Sequence, residues 1–327
     1  MTLALRFRIL VVAALLIGMG HAGAASKEFK DWLAAFKDEA RAEGISEATI
    51  DRAFKDVAPI PRIIELDRRQ TEFTLTFERY LEVTMPPGRV NRGRQLMADN
   101  QALLSEIEAR YGVQPQYLVA LWGMESGFGQ NMGNFSVIAA LATLAYDGRR
   151  SAFFRKELLQ ALRIIDEGHI RPEAMKGSWA GAMGQNQFMP STFVNNAVDF
   201  NGDGRRDIWT TTADVLASAA NYLSRSGWKA GEPWGRRVLL PEGFDPALAT
   251  SDVRQLPSAW GAAGVQRVDG GALDDDDKAG EAALIMPAGQ DGPAFLAYDN
   301  FRVIMKWNRA VFFATAAGLL ADRIAER

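Results

Sequence analysis

Glu125 closes an apolar run in the stretch Ala120–Gln130, ALWGMESGFGQ, and its setting suits a group that gives and takes a proton. Leu118, Leu121 and Trp122 fall at i, i+3 and i+4 of a helical pattern, and Glu125 is the i+7 position of the same stripe. Pro115 suits the first turn of that helix, predicted over Pro115 to Met124. A carboxyl group on the core-facing side of a helix loses water, which disfavours its charged form and raises its pKa toward the range of a general acid near neutrality. Gly127 and Gly129 then end the helix and admit a close approach of other chain. From this stretch alone, a structural cap or ion pair at a helix end is an equal reading, since such pairs perturb pKa as well.

Other chemistries lack their residues. The chain has two histidines and no cysteine. His21 lies in an N-terminal stretch that reads as a leader, which leaves His169 as the one imidazole of the mature chain, placed by Asp166-Glu167-Gly168 in a solvated turn. Serine–histidine triads, cysteine nucleophiles and multi-histidine zinc sites are therefore excluded, and carboxylate chemistry remains. A net charge of −3 gives no general reason to expect nucleic acid.

A second constellation is Asp199–Asp207, DFNGDGRRD, which follows the first nine positions of an EF-hand loop. Asp199, Asn201, Asp203 and Asp207 supply oxygens at positions 1, 3, 5 and 9, Arg205 the backbone carbonyl at 7, and Gly204 the sharp turn at 6. The pattern departs at position 8, where Arg206 replaces an apolar residue, and at position 12, where Thr210 replaces the bidentate glutamate; Asp214 offers a later carboxylate. The expectation is a structural calcium clip, since no second loop is present to pair with it; a tight turn without metal is the alternative. Tyr146-Asp147-Gly148-Arg149-Arg150 places two guanidinium groups after a buried helix, able to clamp a carboxylate of an acidic sugar or peptide or else to be a solvated helix start. Gln185 and Gln187, interleaved with Met183 and Phe188, mix amide donors with apolar platforms as sugar sites do, although such residues are also ordinary packing.

The elements that must position these groups are mostly helices. Phe29, Trp32, Leu33 and Phe36 repeat with a helical period, Ser46 opens a short helix to Phe54, and Val57–Pro61 is a connector. Thr71–Val83 is aromatic-rich, Pro86-Pro87-Gly88 turns the chain, and Arg89–Tyr111 reads as one long helix stopped by Gly112. Ser136–Tyr146, Ser151–Glu167 and Thr212–Ser224 are further helices, and Trp179–Pro190 is a glycine-rich close-approach loop. Gly231 to about Gly292 is rich in proline and glycine with short β-like runs such as Arg237–Leu240, and the run Asp274–Asp277 belongs in solvent. Val311–Arg327 is a final amphipathic helix. At the N-terminus, Arg6 and Arg8, the apolar run Ile9–Met19 and Ala22-Gly23-Ala24 form a cleavable export signal over residues 1–24, too short to span a membrane and with no cysteine for lipidation. The 48% hydrophobic content is ample for a core, which has to hold without disulfides.

Taken together, ALWGMESGFG, LATLAYDGRR, GSWAGAMGQNQFMPSTF, AVDFNGDGRRDIW, ANYLSRSGW and NFRVIMKWN resemble the lytic murein transglycosylase B family, glycoside hydrolase family 103, over essentially the whole mature chain. The resemblance implies a mainly α (α+β) fold with a lysozyme-like catalytic core, a helical N-terminal part and a small β-containing insertion. After the signal at 1–24, one catalytic unit is expected over 25–327: a helical part at about 25–105, the core at about 106–230, the β-containing part at about 231–300, and a C-terminal helix at 301–327 returning to the core. It further implies that Glu125 is the single catalytic acid and base, that Ser178 orients it, and that Arg149, Arg150, Met183, Gln187, Phe188, Tyr222 and Tyr80 line a peptidoglycan groove. Trp307-Asn308 stands where many members have Tyr-Asn, preserving a stacking ring without the phenol; Asn186 replaces a more usual proline or glycine, and Ala310 a more usual serine.

A retaining hydrolase holds two carboxylates about 5 Å apart and an inverting one about 6.5–9.5 Å apart, whereas these site motifs carry one acid. A lone acid suits a reaction whose nucleophile belongs to the substrate, here the C6 hydroxyl of MurNAc, with a 1,6-anhydro product. The expected partners are peptidoglycan strands and other cell-wall enzymes, for a soluble periplasmic monomer with no organic cofactor, nucleic acid or membrane anchor. Three alternatives stand beside this: a water-using muramidase, a non-catalytic wall-binding protein, and a calcium-responsive structural protein centred on Asp199.

Overall fold

In the computed structural model the described residues are 13–68, 75–275 and 280–326, with side chains described from Lys27 onward. The first half of the expected export signal, residues 71–74 of the aromatic stretch, and Asp276 and Asp277 of the acidic run lie outside them. The first half of the chain forms α1 (Ala13–Ala42), α2 (Glu47–Ala53), α3 (Pro61–Arg68), α4 (Phe77–Thr84), α5 (Pro87–Asp99), α6 (Gln101–Tyr111), α7 (Pro115–Ser126), β1 (Phe135–Ser136), α8 (Val137–Asp147) and α9 (Ser151–Asp166). There follow β2 (Lys176–Gly177), α10 (Pro190–Asn196), α11 (Thr212–Arg225), β3 (Gly235–Leu239), β4 (Arg254–Gln255), α12 (Pro257–Ala262), β5 (Gln266–Arg267), β6 (Ala282–Ile285), β7 (Ala294–Ala297), α13 (Asp299–Trp307) and α14 (Val311–Ala325). Among the described residues no helix is long and apolar enough to cross a membrane.

The boundaries follow capping chemistry. Ser46, Thr76 and Ser136 accept a backbone N–H of the first turn of α2, α4 and α8 with their hydroxyls, satisfying donors that have no intrahelical partner. Gly112 ends α6 in the left-handed region, at φ 72°. The helix expected over Arg89–Tyr111 is instead two, α5 and α6, because the Asn100 side chain donates to the Leu96 carbonyl and its backbone leaves the helical region (φ −108°, ψ 20°). An asparagine amide competing for the main chain is a common way to break a helix that hydrophobic periodicity alone would continue.

The chain divides into two compact units. One comprises Met1–Gln70, Gly133–Met183 and Phe188–Val194. Its centre is the pair α8 and α9, with α1, α2 and α3 packed on them, and β1 pairs antiparallel with β2 (Phe135 opposite Gly177). Phe29, Trp32 and Phe36 of α1 form a ring cluster with Phe54 and Tyr146. Buried Glu157 of α9 takes both the backbone N–H and the hydroxyl of Ser191 at the start of α10. His169, expected in solvent, has a side chain only 10% exposed that packs its ring on Phe193 and faces Glu167; α9 ends just before it and the following residues fold back onto the unit.

The other unit comprises Thr71–Met132, Gly184–Gln187 and Asn195–Arg327. Here α7 is the central helix, contacted by α5, α6, α11 and α14, and it is buried around its circumference from Tyr117 to Gly123 rather than along one stripe. Val119 and Ala120, off the predicted stripe, are fully buried because helices cover those faces too. The same unit carries a five-stranded antiparallel sheet in the order β4-β6-β7-β3-β5, over a core that includes Val238, Trp260, Leu284, Leu296 and Tyr298. The Trp260 indole donates to the Ala282 carbonyl at 2.9 Å, so the ring is buried without an orphaned N–H. Gly318 lets α14 lie directly on the Trp234 ring, where any Cβ would collide with the indole.

Candidate active site

Glu125 stands in the last turn of α7, one residue before Ser126 ends the helix. Gly127, Phe128 and Gly129 all adopt left-handed backbone, at φ 57°, 62° and 84°. For Phe128 that conformation is strained, and it is maintained by packing: the ring meets Trp122 edge-on at 5.7 Å and fills the space left by Gly123. At Gly129 a Cβ would collide with the Gln185 side chain, so this position needs glycine for space as well as for φ. The Ser126 hydroxyl accepts the Gly129 N–H at 3.0 Å and closes the turn.

Packing lifts the Glu125 carboxyl to a pKa of about 7: loss of water raises it, and a hydrogen bond from Trp307 partly opposes the rise. That bond runs from the indole N–H to Oε1 at 2.7 Å and is, among the described residues, the hydrogen bond made to this carboxyl. No charged side chain acts on it there. Tyr222 of α11 meets the Trp307 ring edge-on at 5.0 Å and donates its hydroxyl to the Lys306 carbonyl at 2.7 Å. Asn308 follows, its side chain accepting the Ala310 N–H at the start of α14. Glu125, Tyr222, Trp307 and Asn308 thus come together in one unit, although Glu125 and Trp307 are 182 residues apart in the chain.

The remaining expected residues divide between the units. Tyr80 of α4 packs on Phe312 of α14 at 5.7 Å. Gln187, at φ 48°, donates its amide to the carbonyls of Met132 and Gly184. Gln185, by its sequence a candidate sugar donor, is a core strut instead: its amide accepts the Trp122 indole N–H at 2.6 Å, donates to the Trp209 carbonyl at 2.8 Å and is buried. Asn186 is buried as well and donates to the Val215 carbonyl. In the first unit, the Ser178 hydroxyl accepts the N–H groups of Ala180 and Ala182, while Met183 and Phe188 are buried and exchange backbone hydrogen bonds with each other.

Arg149 and Arg150 have a partner that sequence reasoning missed. Asp67 of α3, buried, pairs with Arg149 at 2.8 Å and with Arg150. Two guanidinium charges against one carboxylate leave one net positive charge on half-exposed groups. No local signal marks Asp67, because it lies 83 residues from Arg150 in the chain.

The EF-hand-like segment closes on itself. The Asp199 carboxylate accepts the N–H groups of Gly202, Asp203 and Gly204, and Asp203 that of Arg205. Asp207 accepts from the Trp209 and Thr210 N–H groups and the Thr211 hydroxyl in the turn ahead of α11, while buried Asp214 accepts the N–H groups of Phe200 and Asp207. The donors are hard oxygens of the kind calcium takes, backbone and amide carbonyls included, although among the described residues no three His, Cys, Asp or Glu side chains are grouped around one point. Thr210 at position 12 turns to Asp207 and supplies no bidentate carboxylate.

Comparison with known proteins agrees with this architecture. The chain is 31% identical over 253 residues to membrane-bound lytic murein transglycosylase B of Escherichia coli K12, covering 76% of this chain and 67% of that protein. Among solved structures it is similar to SltB3 of Pseudomonas aeruginosa in complex with NAG-NAM-pentapeptide, with a TM-score of 0.89 and 49% identity over 91% of this chain and 80% of that one; SltB3 has also been solved with NAG-anhNAM-pentapeptide. It is similar, too, to the E. coli lytic transglycosylase Slt35 in complex with calcium, at a TM-score of 0.76 and 26% identity, covering 90% and 92% of the two chains. The fold is accordingly mainly helical with a lysozyme-like core. Residues 28–322 match the family described as the transglycosylase SLT domain, and with nearly the whole chain inside that match, a desolvated lone acid at its centre and lytic transglycosylases as its relatives, the chain belongs to that family.

Proposed function

We propose that this chain cleaves the β-1,4 bond between MurNAc and GlcNAc in peptidoglycan, with Glu125 as acid and then as base. The observation that carries this reading is the Glu125 carboxyl at the end of α7, held by the Trp307 indole N–H and raised by desolvation to a pKa of about 7, so that both of its protonation states are populated near neutrality. Protonated Glu125 gives its proton to the glycosidic oxygen as the bond from C1 to that oxygen breaks. The C6 hydroxyl of the same MurNAc attacks C1, and the Glu125 carboxylate takes the hydroxyl proton. A 1,6-anhydro ring forms, no water is consumed, and Glu125 returns to its starting state.

The groove assignments are part of the proposal. Tyr222, Trp307 and Asn308 flank the acid, and Tyr80 offers a ring. The net positive charge of Arg149 and Arg150 over Asp67 suits a carboxylate of the peptide-bearing substrate. Ser178, Met183, Gln187 and Phe188 are proposed as further substrate-binding positions, and their replacement is expected to lower turnover. The loop at Asp199–Asp207, with Asp214, is proposed to take calcium weakly as a structural clip, and the chain to work as a monomer in the periplasm after removal of residues 1–24.

Glu125→Gln keeps the shape of the side chain but can neither give nor take the catalytic proton. The variant is expected to fold and bind glycan while losing turnover. Release of muropeptides at more than a few per cent of the wild-type rate would remove Glu125 from the mechanism.

A further inference from the structure

We infer that Trp307 is the positioning residue of Glu125, acting through an indole N–H that donates to the carboxyl and cannot accept from it. This deepens the reading of Glu125 as acid and base and rests on it. The sequence assigns Trp307 a different part, a ring on which a sugar stacks. The structure shows its polar edge committed instead, with Nε1 2.7 Å from Oε1 of Glu125.

The contact is built in from both sides. The indole closes a small cleft lined by Leu118, Leu121 and Trp122 of α7 and by Val215 and Leu216 of α11. Tyr222 is edge-on to it, and the Tyr222 hydroxyl grips the carbonyl of Lys306, the residue immediately before Trp307. On the other side the Asn308 N–H donates to the Ile304 carbonyl and its side chain caps the backbone of Ala310. Trp307 therefore has little freedom, and the direction of its N–H is set by the fold rather than by a substrate.

An indole nitrogen offers a donor and no acceptor. Its bond to Glu125 strengthens as negative charge grows on the carboxyl, so it favours the state Glu125 reaches when it has given its proton away. Desolvation pushes the other way. The balance leaves one carboxyl able both to release a proton in the first half of the reaction and to accept one in the second. Other titratable groups do not compete for this role among the described residues. Tyr222 from α11 is kept neutral by burial, Lys306 of α13 donates to the Ser226 carbonyl, and Asp322 of α14 is engaged by Trp234. Among the described residues, desolvation and the Trp307 hydrogen bond are the influences that set the Glu125 carboxyl.

Trp307→Phe keeps an apolar ring and removes the donor. Glu125 is followed without turnover by ¹³C NMR of labelled carboxyls, identified by subtracting Glu125→Gln. In Trp307→Phe its titration is expected to move up by about one pH unit, the size typical of losing a hydrogen bond to a charged group. The alkaline limb of kcat/KM, which reports protonated Glu125 in the free enzyme, should move up with it, while kcat falls several-fold and KM stays within about twofold. Tyr222→Phe, which loosens the grip on Lys306, should shift the titration the same way by a smaller amount, and serves if Trp307→Phe does not fold. An unmoved Glu125 titration in the folded variant, or a rise in KM with an unmoved pH limb, would make Trp307 a stacking platform and overturn the inference. Turnover persisting in Glu125→Gln would instead strike the acid–base assignment, and the NMR titration would still test the hydrogen bond separately.

Discussion

Glu125 and Asp322 each accept an indole N–H, and loss of water around the carboxyl raises both above an ordinary carboxylate, to about 7 and about 6. In both, desolvation is the larger influence, and the donor, Trp307 or Trp234, opposes it. The difference lies in what surrounds them. Glu125 is at a helix end beside a glycine-bounded turn, whereas Asp322 is inside α14, under Trp234 and close to the charge of Glu326, with no place in the site motifs. For Asp322 the consequence is structural. Its folded pKa is above its unfolded value near 3.8, so the native state binds more protons between these values and stability falls as pH rises through that window. Asp322→Asn can still accept the Trp234 N–H and should lose this part of the decline, gaining stability relative to wild type at about pH 7.5 but not at about pH 4. Urea unfolding of both proteins at the two pH values tests it; a difference that does not change with pH would show that Asp322 is not the group responsible.

At the scale of elements, the loop from Asp199 to Asp214 shows how a ligand-like sequence can be held by its own backbone. Asp199, Asn201 and Asp203 satisfy N–H groups of the turn, and Asp207 and Asp214 anchor the start of α11. Calcium bound there adds the binding free energy of a donor set without a bidentate carboxylate at position 12. With a dissociation constant of about 10⁻⁴–10⁻³ M, calcium at about 10 mM would stabilise the fold by about 1.4–2.7 kcal/mol, an upward shift of a few degrees in Tm. Asp203→Ala should abolish the increment while lowering Tm slightly in chelator. Superimposable melting curves of the wild type in chelator and in millimolar calcium would show that the loop takes no calcium at this concentration. The break at Asn100 is the converse case, where one side-chain amide divides a helix that the apolar pattern continues.

For the whole molecule, the decisive question is what attacks C1. The chain belongs to a family of lytic transglycosylases, and the proposed mechanism gives the attack to a hydroxyl of the substrate, with Glu125 as the one acid and base. A digest of sacculi in ¹⁸O-labelled water is expected to release MurNAc ends that are unlabelled and lighter by one water than those from a muramidase. Label at C1 in the mass spectrum would place water in the reaction and call for a second carboxylate to activate it.

What depends on near neighbours in the chain was legible in the sequence. Glu125 on an apolar helical run, the glycines after it, the EF-hand-like spacing from Asp199 and the serine caps at Ser46 and Ser136 all depend on neighbours within a few positions, so the chain's order records them. The mainly helical class with a small β-containing part was legible for the same reason. What only the tertiary structure decided is pairing over distance: Trp307 against Glu125 across 182 residues, Asp67 against Arg150 across 83, Gln185 against Trp122 across 63. A sequence states that an indole, an aspartate or an amide exists; which polar group each one meets depends on which helices pack. Burial then sets the strength of the contact, turning an ordinary glutamate into an acid poised near neutrality.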